Sequence, residues 1–331
     1  MLDPHQSQQS LRLLVVIVNY RTAQLTINCL DSLVDEVRAV SGTQVVVVDN
    51  SSGDRSVEEI ESVIQTEGWS DWASVLPSEH NKGFAAGNNL IIRSVLKSRY
   101  PPDYVWLLNP DTMVRERSLS TLIDFMEEHS QVGIAGSRLE DVDGTPQCSA
   151  FRFHTLLSEL DSALRMGIVS RLLAKWVVAP PIAAIPHQTD WVAGASTIVR
   201  REVFETIGLM DEGYFLYYEE VDFCLQARKS GWSCWYIPQS RVVHLVGQSS
   251  GVTNTKTIPR RLPKYWFDSR RRYFLKNHGW FYAALTDLVW LLSFALGRCR
   301  RFLQRKPNND PPYLLRDFLR NSALRTMSNE Q

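Results

Sequence analysis

Two stretches place carboxylates where their spacing suits chemistry. Residues 107–112 read LLNPDT: a strand-like apolar run, Tyr104–Leu108 (YVWLL), stops on Asn109-Pro110-Asp111. Pro110 cannot donate to a sheet ladder and marks the end of the strand. Side chains at i and i+2 of a strand end point the same way, so Asn109 and Asp111 leave the sheet together. Asp111 there suits Mg²⁺ or Mn²⁺, which bind oxygen and fill their remaining positions with water and phosphate. A plain turn accounts for the same residues. The second stretch is Tyr218-Glu219-Glu220-Val221-Asp222, three carboxylates in four residues at a predicted helix start. Dipole capping explains acids there, but crowding in a cleft raises the pKa of at least one and suits it to general base work. The apolar run Tyr214–Tyr218 predicts partial burial. His244 ends a strand pattern and precedes Gly247–Gly251, and it reads equally as a ligand or a structural histidine. Residues 81–89 (NKGFAAGNN) combine small residues with a helix start. That pattern lets backbone approach an anionic ligand, with Lys82 adding charge.

The elements that must hold these residues alternate. Leu11–Asn19 (LRLLVVIVN) and Gln44–Val48 are continuous β-branched runs of the buried, parallel type. Trp72–Leu76 is a weaker strand and Val132–Gly136 another. Helices are predicted over Thr22–Val40, with Leu25, Cys29, Leu33 and Val37 on one stripe, and over Ser56–Gln65, Phe84–Ser98 and Ser118–His129. Residues 140–190 read poorly, with a helix over Leu156–Val177 and a Pro-rich piece at 180–186. From Asp190 the order is strand, helix, loop, helix, strand, closed by Arg241–Val246. Alternation of this kind implies an α/β fold with a mostly parallel sheet. In such sheets ligands sit beyond the strands' carboxyl ends. Those ends carry Asn19-Tyr20, Asp49-Asn50 and Asn109-Pro110-Asp111, one coherent edge.

No G-x-G-x-x-G follows the first strand, and P-loop and G-x-S-x-G patterns are absent. The chain of 331 residues has a formal net charge of zero, so nucleic acid is not an expected partner. Charge is unevenly spread: Lys256–Lys306 holds thirteen Lys or Arg against Asp268 and Asp287, which suits phosphates or an anionic leaflet. Five scattered cysteines without a C-x-x-C pair, and a polar N-terminus without a signal pattern, fit a reducing cytoplasm. Phe281–Gly297 is apolar but seventeen residues long and interrupted by Asp287. It is marginal for spanning a bilayer and better suited to lying on the inner face, or to packing on the protein.

Taken in order, VVIVNY (15–20), VVVVDNSSGD (45–54), NKGFAAGNN, LLNPDT, residues 191–232 and VVHLVGQSSG (242–251) resemble the family 2 glycosyltransferases of GT-A fold. Residues 271–279 (RRYFLKNHG) resemble the bacterial rhamnosyltransferase-like branch, which builds cell-surface polysaccharides. The resemblance spans about residues 11–280. It implies a tail at 1–10, a GT-A Rossmann-like catalytic domain at 11–255 and a basic helical extension at 256–331. It further implies that Asp49 holds the nucleobase beside Asn19-Tyr20, and that Asn81, Lys82 and Asn109 lie along the donor. Asp111 and His244 would ligate Mg²⁺ or Mn²⁺, and Trp191, Gly194 and Ala195 would shape the acceptor and donor-sugar side. Glu220 occupies the catalytic-base position, with Glu219 and Asp222 as alternates. Asn109 stands where the family has the first Asp of Asp-x-Asp, one charge fewer, and Glu220 where Asp is more usual. The implied reaction is inverting transfer from a nucleoside-diphosphate sugar to a saccharide or lipid-linked acceptor, with deoxythymidine-diphosphate rhamnose as first donor and loop 247–257 as lid. A sugar-nucleotide pyrophosphorylase should carry a glycine-rich basic loop after the first strand, absent at Asn19–Thr22. A non-catalytic carbohydrate-binding protein on the same fold should have lost the acids at 111 and 220, both present here.

Overall fold

A computed structural model describes residues 13–245 and 260–328; the tail at 1–10, the loop at 247–257 and the domain boundary at 255/256 lie outside them. Four apolar runs form parallel strands, β1 (Leu13–Asn19), β2 (Thr43–Asp49), β3 (Ala73–Pro77) and β4 (Tyr104–Leu108). They are joined by α1 (Ala23–Ala39), α2 (Ser56–Thr66) and α3 (Phe84–Val95). All seven residues of β1 are buried. Leu13, Val15 and Ile17 pack on one face with α1 and α2, while Leu14 and Val16 pack on the other with α3, as the two-residue period of a strand requires.

The chain continues through β5 (Thr112–Val114), α4 (Ser118–Glu128), β6 (Val132–Glu140), β7 (Ala150–Phe151), α5 (Leu156–Leu164), α6 (Gly167–Leu172), β8 (His187–Thr189) and β9 (Trp191–Val192). It ends with β10 (Ser196–Arg200), α7 (Arg201–Ile207), α8 (Glu219–Lys229), β11 (Ser233–His244), α9 (Lys264–Leu303) and α10 (Leu314–Asn321). The main sheet runs β3-β2-β1-β4-β10-β6-β11-β5, with β8 on β11. The expected parallel character holds from β3 to β4. Beyond β4 the sheet is mixed, because β10 runs antiparallel to both β4 and β6, and β5 and β8 antiparallel to β11. Strand direction depends on how the intervening chain returns, which composition does not encode.

Mixing has a positional consequence. β1, β2, β4, β6 and β11 bring their carboxyl ends to one edge. The antiparallel β5 and β10 bring their amino ends to that same edge, since Thr112 pairs with His244 and Ser196 with Leu108. Two other expectations are revised. The helix expected over 156–177 is two helices, broken where Arg165 takes a left-handed φ of 51°. Arg241–Val246 is no separate strand: 241–244 continue β11 past an irregularity between Ile237 and Arg241, and Val246 lies outside the described residues.

The C-terminal extension docks through a buried ion cluster. Arg270, 3% exposed, donates to Glu159 Oε2 of α5 at 2.7 and 2.9 Å and to Asp287 further along α9. Burial alone would raise the Glu159 pKa, but Arg270 and His154 reverse that and hold it down at about 2. Removing one member of such a cluster costs more than the cluster contributes, because a charge stays buried without its partner. Arg270→Met is therefore expected to lower unfolding free energy by about 3–5 kcal/mol, and adding Glu159→Gln and Asp287→Asn should recover much of it. Denaturant melts of both variants check this. Glu159 is ionised in the fold well below its ordinary pKa, so its stabilisation is present above about pH 4.5 and lost as pH falls toward 2. Wild-type melts across that window should show the loss, and the triple variant should show less of it.

Candidate active site

A cavity of about 320 Å³ opens over the aligned strand ends, lined by Val18, Tyr20, Asn50, Asn81, Gly83, Phe84, Asn109, Pro110, Phe215, Leu216 and Tyr265. Its floor is built by polar side chains that satisfy one another. Asn50 Nδ2 donates to Asn81 Oδ1 at 3.0 Å and to the Gly83 carbonyl at 3.1 Å. Asn81 Oδ1 also accepts the Gly83 N–H at 3.0 Å. Gly83 has φ of 93°, and a Cβ placed on it would lie 1.9 Å from the Phe215 carbonyl oxygen. That carbonyl accepts the Phe84 N–H at 2.9 Å. The start of α3 is thereby tied to the loop that leads into α8, and only glycine permits the approach.

The chain that supplies Phe215 and Leu216 to the other wall runs on into the acids of α8. Tyr217 and Tyr218 take consecutive left-handed conformations, φ 70° and 68°, immediately before α8. Such strain in bulky residues persists only where the surroundings hold it. Tyr218 is buried against His154 and Tyr273, with ring centroids 4.9 and 5.5 Å away. The turn aims Glu220 at Gly194, whose position lies within ordinary contact of both the Glu220 Cβ and the Phe84 ring. Glu220 thus adjoins the cavity wall.

The three candidate carboxylates have different environments. Asp222 is buried, receives Lys276 Nζ at 2.6 Å and Asn277 Nδ2 at 2.7 Å, and faces α9. Its charge is already neutralised by α9. Glu219 is 4% exposed, and burial followed by repulsion from Glu220 drives its pKa far above the ordinary value. Glu220 is half-buried; desolvation pushes it up to about 7, opposed by backbone N–H groups of Glu220, Gly194 and Val221. Its Oε2 is buried with no hydrogen-bond partner among the described residues. A carboxyl raised to about 7 suits general base work.

At the far side of the edge, the β5–β11 pairing brings His244 Nε2 to 3.6 Å from Asp111 Oδ1. Asp111 is buried, and its backbone carbonyl accepts the Leu245 N–H at 2.9 Å. One carboxylate and one imidazole face each other here. Among the described residues there is no cluster of three or more such side chains. A two-donor set fits an ion that takes its remaining ligands from substrate phosphates and water.

Other expected site residues fall elsewhere. Asn19 and Asp49 are register partners and are buried. Asn19 Nδ2 donates to Asp49 Oδ1 at 2.7 Å, and Asp49 also accepts from Ser52 Oγ and N. Their side chains shape the 50–53 turn and do not line the cavity. Lys82 is exposed outside it. Trp191 is buried, stacked on Phe151 at 4.2 Å and donating to the Arg152 carbonyl at 2.9 Å. Ala195 contributes its carbonyl, which accepts the Asn109 N–H at 3.0 Å. Asn50, expected on the ligand edge, lines the cavity, whereas sequence reasoning missed Phe84, Phe215, Leu216 and Tyr265 as lining. Phe84 sat within NKGFAAGNN and could have been found there, but Tyr265 comes from α9, for which local pattern offers no signal.

Residues 14–207 match the family described as glycosyl transferase family 2, and the chain belongs to that family. Its relatives include N-acetylglucosaminyl-diphospho-decaprenol L-rhamnosyltransferase of Mycobacterium tuberculosis, 27% identical over 191 residues, covering 54% of this chain and 60% of that protein. The dTDP-rhamnosyl transferase RfbF of Shigella flexneri is 24% identical over 281 residues, covering 84% of each. The chain thus spans about 60% of the mycobacterial relative's length. Among solved structures, GalNAc-T7 with UDP, GalNAc and Mn²⁺ superposes with TM-score 0.57 at 15% identity, over 95% of this chain and 55% of that one. The mannosyltransferase PcManGT of Pyrobaculum calidifontis, with GDP-Man and Mn²⁺, gives 0.52 at 14%, over 89% and 75%. The fold is therefore the GT-A form of the Rossmann-like α/β class, with a helical C-terminal extension.

Two outcomes follow from this geometry. In steady-state assays, Glu220→Gln is expected to lower kcat by about 10²–10⁴-fold, whereas Asp222→Asn should act mainly on stability by loosening α9. For the wild type, kcat/KM should rise with pH along a limb near 7, as the carboxyl of Glu220 loses its proton. A profile without that limb would reject Glu220 as the base. Gly83→Ala is expected to weaken nucleotide binding by about tenfold or more, since the 83–215 contact must open; calorimetric titration with a nucleoside diphosphate measures it.

Proposed function

We propose that the protein transfers a sugar from a nucleoside-diphosphate donor to a saccharide hydroxyl with inversion. The observation that carries this reading is Glu220 Oε2, a buried carboxylate oxygen with no hydrogen-bond partner among the described residues, on a side chain packed beside Gly194 and behind the Phe84 wall of a cavity over the strand ends. In the reaction, Glu220 accepts the proton of the acceptor hydroxyl as that oxygen attacks the anomeric carbon. The bond from that carbon to the diphosphate breaks on the opposite side, and one displacement inverts the centre without a protein nucleophile. Tyr20, Asn81, Phe215 and Tyr265 flank the donor and exclude water from it. Asp111 and His244 would hold Mg²⁺ or Mn²⁺, which when bound supplies positive charge to the departing diphosphate. Asn109 leaves that site one negative charge weaker than a pair of aspartates.

Rhamnose is the donor sugar we favour, with deoxythymidine diphosphate as its carrier. Support comes from the names of the relatives, RfbF above all because its match spans most of both chains. The mycobacterial relative's name specifies a diphospho-decaprenol acceptor; we infer a saccharide acceptor here that is lipid-linked in the same manner, presented at the cytoplasmic face of a membrane in polysaccharide synthesis.

Nucleoside-diphosphate release from a panel of sugar nucleotides, with and without chelator, tests the proposal. Release from one donor, lost with chelator and in both Asp111→Ala and Glu220→Gln, is the expected result. A purified protein that binds none of these nucleotides overturns it, and binding without turnover directs the search to the acceptor.

A further inference from the structure

α9 kinks at Gly279, φ 82°, and beyond the kink it presents two unlike faces. Ala283, Ala284, Asp287, Trp290, Phe294 and Gly297 are buried in the protein. Trp290 stacks on Phe318 of α10 at 3.9 Å, and Asp287 holds Arg270. On the other face Phe281, Leu285, Leu288, Leu292 and Leu296 are 42–78% exposed. Their spacing of four, three, four and four residues sets them in a single stripe along the helix. The neighbouring α6 adds Ile168 and Leu172, 66% and 77% exposed. Its entry lies beside the end of the stripe, because Arg300 Nη2 donates to the Arg165 carbonyl at 2.8 Å and Gly297 abuts the Leu164 carbonyl.

The charge around this surface is predominantly positive, although Arg165 and Arg301 are paired with the buried Asp310. Residues 281–306 contain five Arg or Lys and one acid, Asp287, which is buried in its ion pair. Residues 165–176 contain three Arg or Lys and no acid. Arg171, Lys175, Arg298, Arg305 and Lys306 are exposed. An apolar stripe rimmed by these exposed cations complements a surface that is apolar inside and anionic at its skin. A spanning orientation is inconsistent with α9, since its other face is committed to protein and to a buried ion pair, and a span needs about 20 apolar residues free to meet lipid.

We propose that α6 and the part of α9 beyond Gly279 lie flat on an anionic lipid bilayer, leucines in the acyl boundary and arginines at the phosphates. This deepens the lipid-linked acceptor reading above but rests on surface chemistry alone, and its test uses no sugar nucleotide.

The full chain is sedimented with vesicles of phosphatidylglycerol and phosphatidylethanolamine, and with phosphatidylcholine vesicles, at low and high salt. Expected is sedimentation with the anionic vesicles, at least tenfold weaker with the neutral ones and reduced by salt. Leu288→Glu/Leu292→Glu should abolish it and Arg298→Glu/Arg305→Glu/Lys306→Glu should reduce it about tenfold or more. Near-ultraviolet circular dichroism should match wild type for both. Wild-type protein left in the supernatant with anionic vesicles overturns the proposal, as does binding that survives both sets. A wild-type dimer that the leucine substitutions render monomeric, without vesicle binding, assigns the stripe to a second copy instead. Because donor release is measured separately with nucleotide alone, loss of membrane binding and failure of the transferase reading are distinct results.

Discussion

Everything at the site depends on strand register. β1, β2 and β4 are paired so that Asn19, Asp49 and Leu108 end within a residue or two of a common edge. That alignment alone would yield a row of turns. What turns it into a site is the reversal of two strands: β5 and β10 run the other way and deliver Asp111, Gly194 and Ala195 to the same edge from their amino ends. Residues from 19 to 244 converge because backbone hydrogen bonds leave the strands no other relative position. A slip of one residue in any pair would turn its side chains to the opposite face. The turn chemistry at Pro110 and Gly83 refines a geometry that the ladders already impose.

The second determinant is how negative charge is distributed along α8. Three acids in one helical turn would repel each other if all were ionised. The structure avoids this by giving each a different surrounding. Asp222 has a lysine and an asparagine from α9, Glu219 has its pKa driven far up by burial, and Glu220 retains a pKa near neutrality. Lys276 thus satisfies the buried Asp222 carboxylate from α9. The two left-handed tyrosines at the start of α8 set the direction of the turn, and the aromatic packing of Tyr218 on Tyr273 again comes from α9.

The parts of this arrangement legible in the sequence were those governed by local pattern. Apolar runs announced β1, β2 and β4, Pro110 announced the end of a strand, and the clustered acids announced a helix start. Illegible were features that depend on residues far apart in the chain. Asn19 and Asp49 do stand at strand ends, and as direct neighbours in register they bond to each other, a contact that the separate runs do not reveal. Trp191 looked like a pocket residue, yet the two-residue β9 pairs with β7 and seats its ring on Phe151. The Lys276–Asp222 pair is 54 residues apart and leaves no trace in spacing. Arg165 interrupts a helix through a left-handed backbone that no propensity scale assigns to arginine. The fold class was therefore within reach, and the direction of several strands and the full lining of the cavity were not.

α9 joins these determinants in one element. Its first residues supply Tyr265 to the cavity, its second and fourth turns supply Arg270 and Lys276 to the buried ion pairs, and beyond Gly279 it turns an apolar stripe outward. A helix has a fixed rise of about 1.5 Å per residue, so each straight segment carries a fixed spacing between its contacts, and the kink sets the angle between the segments. The buried Arg270–Asp287 pair crosses the kink, and Glu159 anchors the same arginine to α5. That closed set of charges resists hinge motion at Gly279, because opening it would leave carboxylates buried without their cation. The outward stripe is consequently held at a constant height and angle relative to Glu220, and a hydroxyl carried on that surface would meet the base at a distance set by the protein and not by chance encounter.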